Sequence, residues 1–162
     1  MSDIRSQLLN SAIALCNDFA SLVPVDQVLS HFSKTHQVTA KEYGLPLLAP
    51  FLGRQFSGLK GPNSLETYFS LLRKYLTFEN MTFDEWVVDA ESSKVSCRGS
   101  AKFKWIEGDG DGQWWDEKFV YILDFDQDVK VTDYQVWADS GAAYLARVGQ
   151  LNALRKKFEE TN

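Results

Sequence analysis

Tyr134-Gln-Val-Trp-Ala-Asp139-Ser-Gly-Ala-Ala-Tyr-Leu-Ala-Arg147 is the stretch on which the fold turns. Its first half carries the rings and β-branched residues of a strand. Its second half opens with Asp139 and Ser140, both good helix caps, and continues through small helix formers. A strand thus runs directly into a helix with Asp139 at the junction. Just upstream, Asp128-Val-Lys-Val131 supplies the turn that starts the strand. Side chains alternate along a strand, so Val131, Asp133, Gln135, Trp137 and Asp139 are expected on one face. Thr132, Tyr134, Val136 and Ala138 are expected on the other.

Moving towards the N-terminus, the chain reads as β for some sixty residues, in segments near 78–90, 94–106, 114–126 and 129–138. Glu107-Gly-Asp-Gly-Asp-Gly112 and Asp126-Gln-Asp128 are short turn sequences between them, which makes the neighbouring strands antiparallel. In the second segment Cys97, Gly99, Ala101, Phe103 and Trp105 alternate with Arg98, Lys102 and Lys104, separating an apolar interior from a wet or partner-facing side. In the third, Trp115, Glu117, Phe119, Tyr121, Leu123 and Phe125 share a parity, and Trp86 and Val88 continue the same surface in the first. Before these strands, Leu65, Phe69, Leu72 and Leu76 follow a capping-box spacing at Asn63 and Glu66, predicting a helix.

The segment from Leu45 to Pro62 contains Pro46, Pro50 and Pro62 among Leu47, Leu48, Phe51, Leu52 and Phe56. It is apolar yet repeatedly broken, so it reads either as a wall or lid over a pocket or as a loop covering the core, with a short strand near Arg54 to Phe56. A first strand runs from His36 to Gly44. Two helices open the chain: one with Ile4, Leu8, Ala12, Leu15 and Phe19 on its buried face, and a short one after Pro24. Beyond Asp139, one amphipathic helix is expected to run to the end through Ala143, Leu145, Val148, Leu151, Leu154 and Phe158.

With 162 residues, 44% hydrophobic and 24% charged, the chain fits one globular α+β domain spanning 1–162. Five Trp, six Tyr and eleven Phe are a heavy aromatic load, suited to a thick core or a walled cavity. A net charge of -5 without a clustered basic patch speaks against nucleic acid as a partner. Cys16 and Cys97 have neither zinc spacing nor a disulfide framework around them and are expected to be buried thiols. Neither acidic run, Asp109-Gly-Asp111 or Asp124 to Asp128, has the ligand set of a calcium loop, so no metal and no cofactor is expected. No apolar run is long enough to cross a bilayer and no signal pattern opens the chain, which predicts a cytoplasmic protein without a membrane partner.

This order of elements resembles the nuclear transport factor 2-like superfamily. The stretch Asp128-Val-Lys-Val131 leading to Tyr134 through Arg147 is similar to the last strand and helix junction of its SnoaL-like, polyketide cyclase and ketosteroid isomerase-like branch, with Val129 where Gly is usual. Phe56-Ser-Gly58 ahead of the third helix adds to the resemblance. The resemblance implies a curved antiparallel sheet wrapped on three N-terminal helices to form a cone, closed by a C-terminal helix. Members of the superfamily include cyclases, isomerases, dehydratases and non-catalytic binding proteins, so the fold does not select among them. Superfamily members commonly pair through the outer sheet face, which implies a homodimer with Arg98, Lys102, Lys104, Tyr134 and Val136 near the interface.

The resemblance makes Asp139 the candidate general acid/base, with Tyr43 or His36 as electrophilic helper. Read from the residues alone, structural roles come first: Asp139 capping the last helix, His36 making a surface hydrogen bond and Tyr43 packing. Phe51, Phe56, Trp86, Phe103, Trp105, Trp115, Glu117, Tyr121 and Trp137 are the expected lining for an apolar or aromatic small molecule. Glu117 is a candidate second carboxylate beside Asp139. The expected function is a cofactor-independent isomerase, cyclase or dehydratase acting on a carbonyl compound, or alternatively a non-catalytic ligand-binding or protein-interaction module.

Overall fold

The computed structural model describes residues 3–162. Helix α1, Ile4–Ala20, is capped by the Asp3 carboxylate on the Ser6 amide and buries Leu8, Ala12, Leu15 and Cys16. After the short α2, Val25–Leu29, comes strand β1, Thr39–Tyr43, followed by β2, Gln55–Ser57. Helix α3, Leu65–Tyr75, begins at Ser64, whose hydroxyl accepts from the Thr67 amide. The cap thus falls one residue beyond Asn63, which instead adopts a positive φ of 54° in the preceding turn.

The β region forms as its alternation predicted. Strands β3, Leu76–Asp89, β4, Lys94–Trp105, β5, Trp114–Phe125, and β6, Val131–Trp137, are antiparallel neighbours in turn. The sheet order is β2-β1-β6-β5-β4-β3, with β1 parallel to β6. Residues Cys97, Ala101, Phe103 and Trp105 of β4 and Trp115, Phe119, Tyr121, Leu123 and Phe125 of β5 are buried on the concave side, against α1 and α3. Gly99 completes that face because a Cβ there would lie 2.2 Å from the Phe119 ring. Both cysteines are buried and unbridged.

Strict alternation fails in β6. Asp124 of β5 faces Asp133 but Phe125 faces Val131, so β6 has an extra residue, Thr132, in a bulge. The bulge lets Val131 and Tyr134 both point inward and turns Val136 in behind them. Tyr134 and Val136 are therefore core residues and not part of the outer face, whereas Trp137 points out and is 39% exposed. Beyond Asp139 there are two helices rather than one: α4, Ser140–Arg147, and α5, Leu151–Thr161. Gly149, at φ 75°, makes the break, and a side chain there would meet the Asp109 carbonyl at 2.6 Å.

Candidate active site

An aromatic cavity occupies the concave side of the sheet. Its volume is about 60 Å³, and its walls come from all layers: Phe19 of α1, Phe51 of the proline-rich loop, Tyr68 and Leu72 of α3, and the inward rows of β3 to β6. Leu22 and Asp139 are its exposed members and mark the mouth. Glu42 and Tyr68 are enclosed and form the floor.

Glu42 is the residue that sequence reading missed. It sits in β1, where the burial pattern turns Ala40 and Glu42 inward and leaves Thr39, Lys41 and Tyr43 on the other side. Its Oε1 accepts the Tyr68 hydroxyl at 2.8 Å. No cation among the described residues balances it, so burial pushes its pKa up to about 8, against the lowering effect of the Tyr68 hydrogen bond, and nearby Glu117 pushes in the same direction. A pKa raised in this way favours the carboxylic acid at neutral pH, with one oxygen held by Tyr68 and the other left to carry the proton. The signal in the sequence was a charged residue at an even position in a strand whose other even member is Ala40.

Glu117 and Asp139 complete the polar part. Glu117 Oε1 accepts the Trp115 indole at 3.1 Å and the Asp139 amide at 2.9 Å, tying β5 to the β6–α4 junction. Burial raises the Glu117 pKa to about 7 in spite of those two bonds, and the charge of Asp139 adds to the rise. Asp139 Oδ1 accepts the Ala142 amide at 2.9 Å, so the residue does cap α4. Asp139 also lines the cavity, and no hydrogen bond among the described residues uses its Oδ2. Cap and cavity carboxylate coexist in one side chain.

Of the expected lining, Phe51, Phe103, Trp115, Glu117 and Tyr121 meet at the cavity. The others do not. Phe56 packs behind Tyr68 at 5.3 Å between ring centres, and Trp105 lies between Phe51 and Tyr75, both buried one layer out. Trp86 contacts Phe83 from within the second of two register shifts in β3, between Asp84 and Val87. Trp137 stacks on Tyr43 at 4.5 Å on the outer face, where the Tyr43 hydroxyl donates to Gln135. Tyr43 cannot reach a ligand in the cone, because β1 and β6 pair in a register that sets Tyr43 beside Trp137. His36 is also misplaced: its Nδ1 sits 3.0 Å from Thr35 Oγ1 and 3.5 Å from Asp126 Oδ2, in a half-exposed cluster away from the cavity. The proline-rich loop is a wall, contributing Phe51, with Leu45 and Leu47 left exposed.

A curved, unclosed six-stranded sheet around an acid-bearing aromatic cavity is the cone of the nuclear transport factor 2-like fold, as the sequence resemblance predicted. Solved structures agree. A Bacillus subtilis protein assigned as an isomerase superposes with a TM-score of 0.73 at 10% identity, covering 91% of this chain and 97% of that one. The pinacolase BvnE of Penicillium brevicompactum gives 0.62 at 18% identity, covering 95% and 99%. A Jannaschia protein assigned as a SnoaL-like polyketide cyclase gives 0.68 at 13% identity, covering 91% and 96%. No protein-family model and no curated protein matches the sequence. Among the described residues, no helix is long and apolar enough to cross a membrane and no cluster of three or more His, Cys, Asp or Glu could hold a metal ion.

Proposed function

We propose that the chain is a cofactor-independent acid–base catalyst that isomerises, cyclises or dehydrates a small carbonyl compound. The observation that carries this is Glu42, a carboxylic acid fixed by Tyr68 on the floor of an aromatic cavity whose mouth holds the carboxylates Glu117 and Asp139. Place assigns the carboxyls opposite roles: Glu42 is enclosed on the floor, whereas Asp139 is exposed at the mouth. Glu42 donates its proton to the carbonyl oxygen while Asp139, assisted by Glu117, removes a proton from the adjacent carbon. The resulting enol is reprotonated by the acid so formed, and the proton on oxygen returns to Glu42. The aromatic walls exclude water from the Glu42 end of the exchange and strengthen its contact, while Asp139 works at the open mouth. A cavity of about 60 Å³ receives the reacting end of a molecule rather than all of it.

The test is conversion of 3-cyclohexenone to its conjugated isomer, followed by ultraviolet absorbance, alongside a panel of β,γ-unsaturated and β-hydroxy ketones. Turnover that falls at least about a hundredfold in Glu42→Gln and in Asp139→Asn supports the assignment. Turnover unaffected by either change, or none across the panel, returns the protein to the class of ligand-binding modules.

The same reading places the protein in the cytoplasm, supported by its two unbridged cysteines, and makes it a homodimer through the outer sheet face. Trp137 at 39% and Val120 at 40% exposure are cross-strand neighbours there, with Arg98 next to Val120.

A further inference from the structure

Arg73 has no part in the chemistry above, yet its side chain lines the same cavity. It sits in the last turn of α3, five residues and about 7.5 Å of helix rise beyond Tyr68. Its Nη2 donates to the Val23 carbonyl, which holds the guanidinium against the loop that carries Leu22. No carboxylate pairs with it among the described residues, and partial burial is what draws its pKa below the usual guanidinium range. An Arg placed in a cavity wall without a counter-ion, with Nη1 and Nε still to be satisfied, is a ready partner for an anion.

We infer that Arg73 is an anion subsite in the cavity wall, and that the substrate is a keto acid whose carboxylate pairs with Arg73 while its carbonyl reaches Glu42. This rests on the acid–base reading of the floor, and adds to it the polarity of the substrate. One end of the ligand is a monoanion and the other a neutral acceptor. A monoanion fits better than a phosphate dianion, because a single guanidinium with one nitrogen already engaged stands near the carboxyl end of α3 and lines a cavity that also holds Asp139. The Val23 contact gives Arg73 a structural use as well, so the experiment has to separate the two.

Binding of 4-oxopentanoate and of its methyl ester is measured by isothermal calorimetry on wild type, Arg73→Lys and Arg73→Met. The wild type is expected to prefer the acid by about tenfold or more, the worth of one charge-assisted hydrogen bond. Arg73→Lys keeps part of that preference, and Arg73→Met abolishes it while leaving the affinity for the ester within about twofold. Equal binding of acid and ester by the wild type, failure of the acid to bind at millimolar concentration, or parallel loss of both ligands in Arg73→Met overturns the inference. Because the readout is binding and not turnover, an inactive Glu42 would leave the acid-to-ester ratio in place. A failed ratio would likewise leave Glu42 chemistry untouched.

Discussion

At the scale of single residues, Glu42 sets the pH behaviour of the molecule. Its folded pKa of about 8 lies above the ordinary glutamate value of 4.5, so between those values the folded state holds a proton that the unfolded chain has released. The associated stability is fully present below pH about 4.5 and is lost as pH rises to about 8, at most about 5 kcal/mol. Glu117, raised to about 7, adds a slope of the same sign. Urea denaturation of the wild type from pH 5 to pH 9 is expected to show stability falling across the window, with most of the fall absent from Glu42→Gln. A slope unchanged by the substitution would mean that Glu42 is not protonated in the folded protein. Val129 offers a second prediction. It adopts φ 59°, where a β-branched residue is strained, at the turn position where SnoaL-like sequences usually carry Gly. Val129→Gly is expected to raise stability by about 1 kcal/mol in urea titration, relief of strain outweighing the half-buried methyls lost.

At the scale of elements, what was legible followed from periodicity. The four long strands, the interior rows of β4 and β5, and α1 and α3 came from alternation or helical spacing, which local sequence displays directly. The misreadings arose where a local irregularity changes direction. The Thr132 bulge inverts the second half of β6, sending Trp137 out and Tyr134 and Val136 in, and no residue in Val131-Thr-Asp-Tyr134 announces it. Gly149 ends α4 inside what reads as one amphipathic pattern. Glu42 was hidden for another reason: a charged residue in a short strand reads as exposed until the parallel pairing with β6 fixes which way it faces. Glu117 and Asp139 were found because a carboxylate among rings, or at a strand end, stands out in the sequence alone. Helix α5 carries a prediction of its own. It buries no residue and is held by Asn152, which bonds to Gly112, Gln113 and Trp114, and by Arg155, whose guanidinium lies 3.7 Å from the Trp114 ring centre and whose Nη1 donates to the Trp114 carbonyl at 2.6 Å. Arg155→Ala is expected to speed amide exchange through residues 151–161 at least about tenfold while the core strands keep their protection. Equal change throughout the molecule would show that α5 unfolds only with the whole.

At the scale of the whole molecule, the two faces of one sheet divide the work. The concave face is filled with interlocking rings, from Phe19 and Phe69 through Tyr121 to Tyr134, and leaves a cavity of about 60 Å³ for a ligand. The convex face leaves a cross-strand row of Tyr43, Trp137, Val120, Arg98 and Asp84, apolar at one end and charged at the other. An exposed Trp beside an exposed Val in the middle of a sheet is unfavourable in water and suits an interface centre, with charged residues as its rim. A two-fold pairing would bring this row against its own copy. Trp137→Glu places a charge at that centre and is expected to convert the dimer to a monomer in light scattering. Because Trp137 does not touch the cavity, the affinity for 4-oxopentanoate should remain within about twofold. A wild-type mass equal to one chain removes the dimer proposal. A dimer whose mass survives Trp137→Glu places the interface elsewhere.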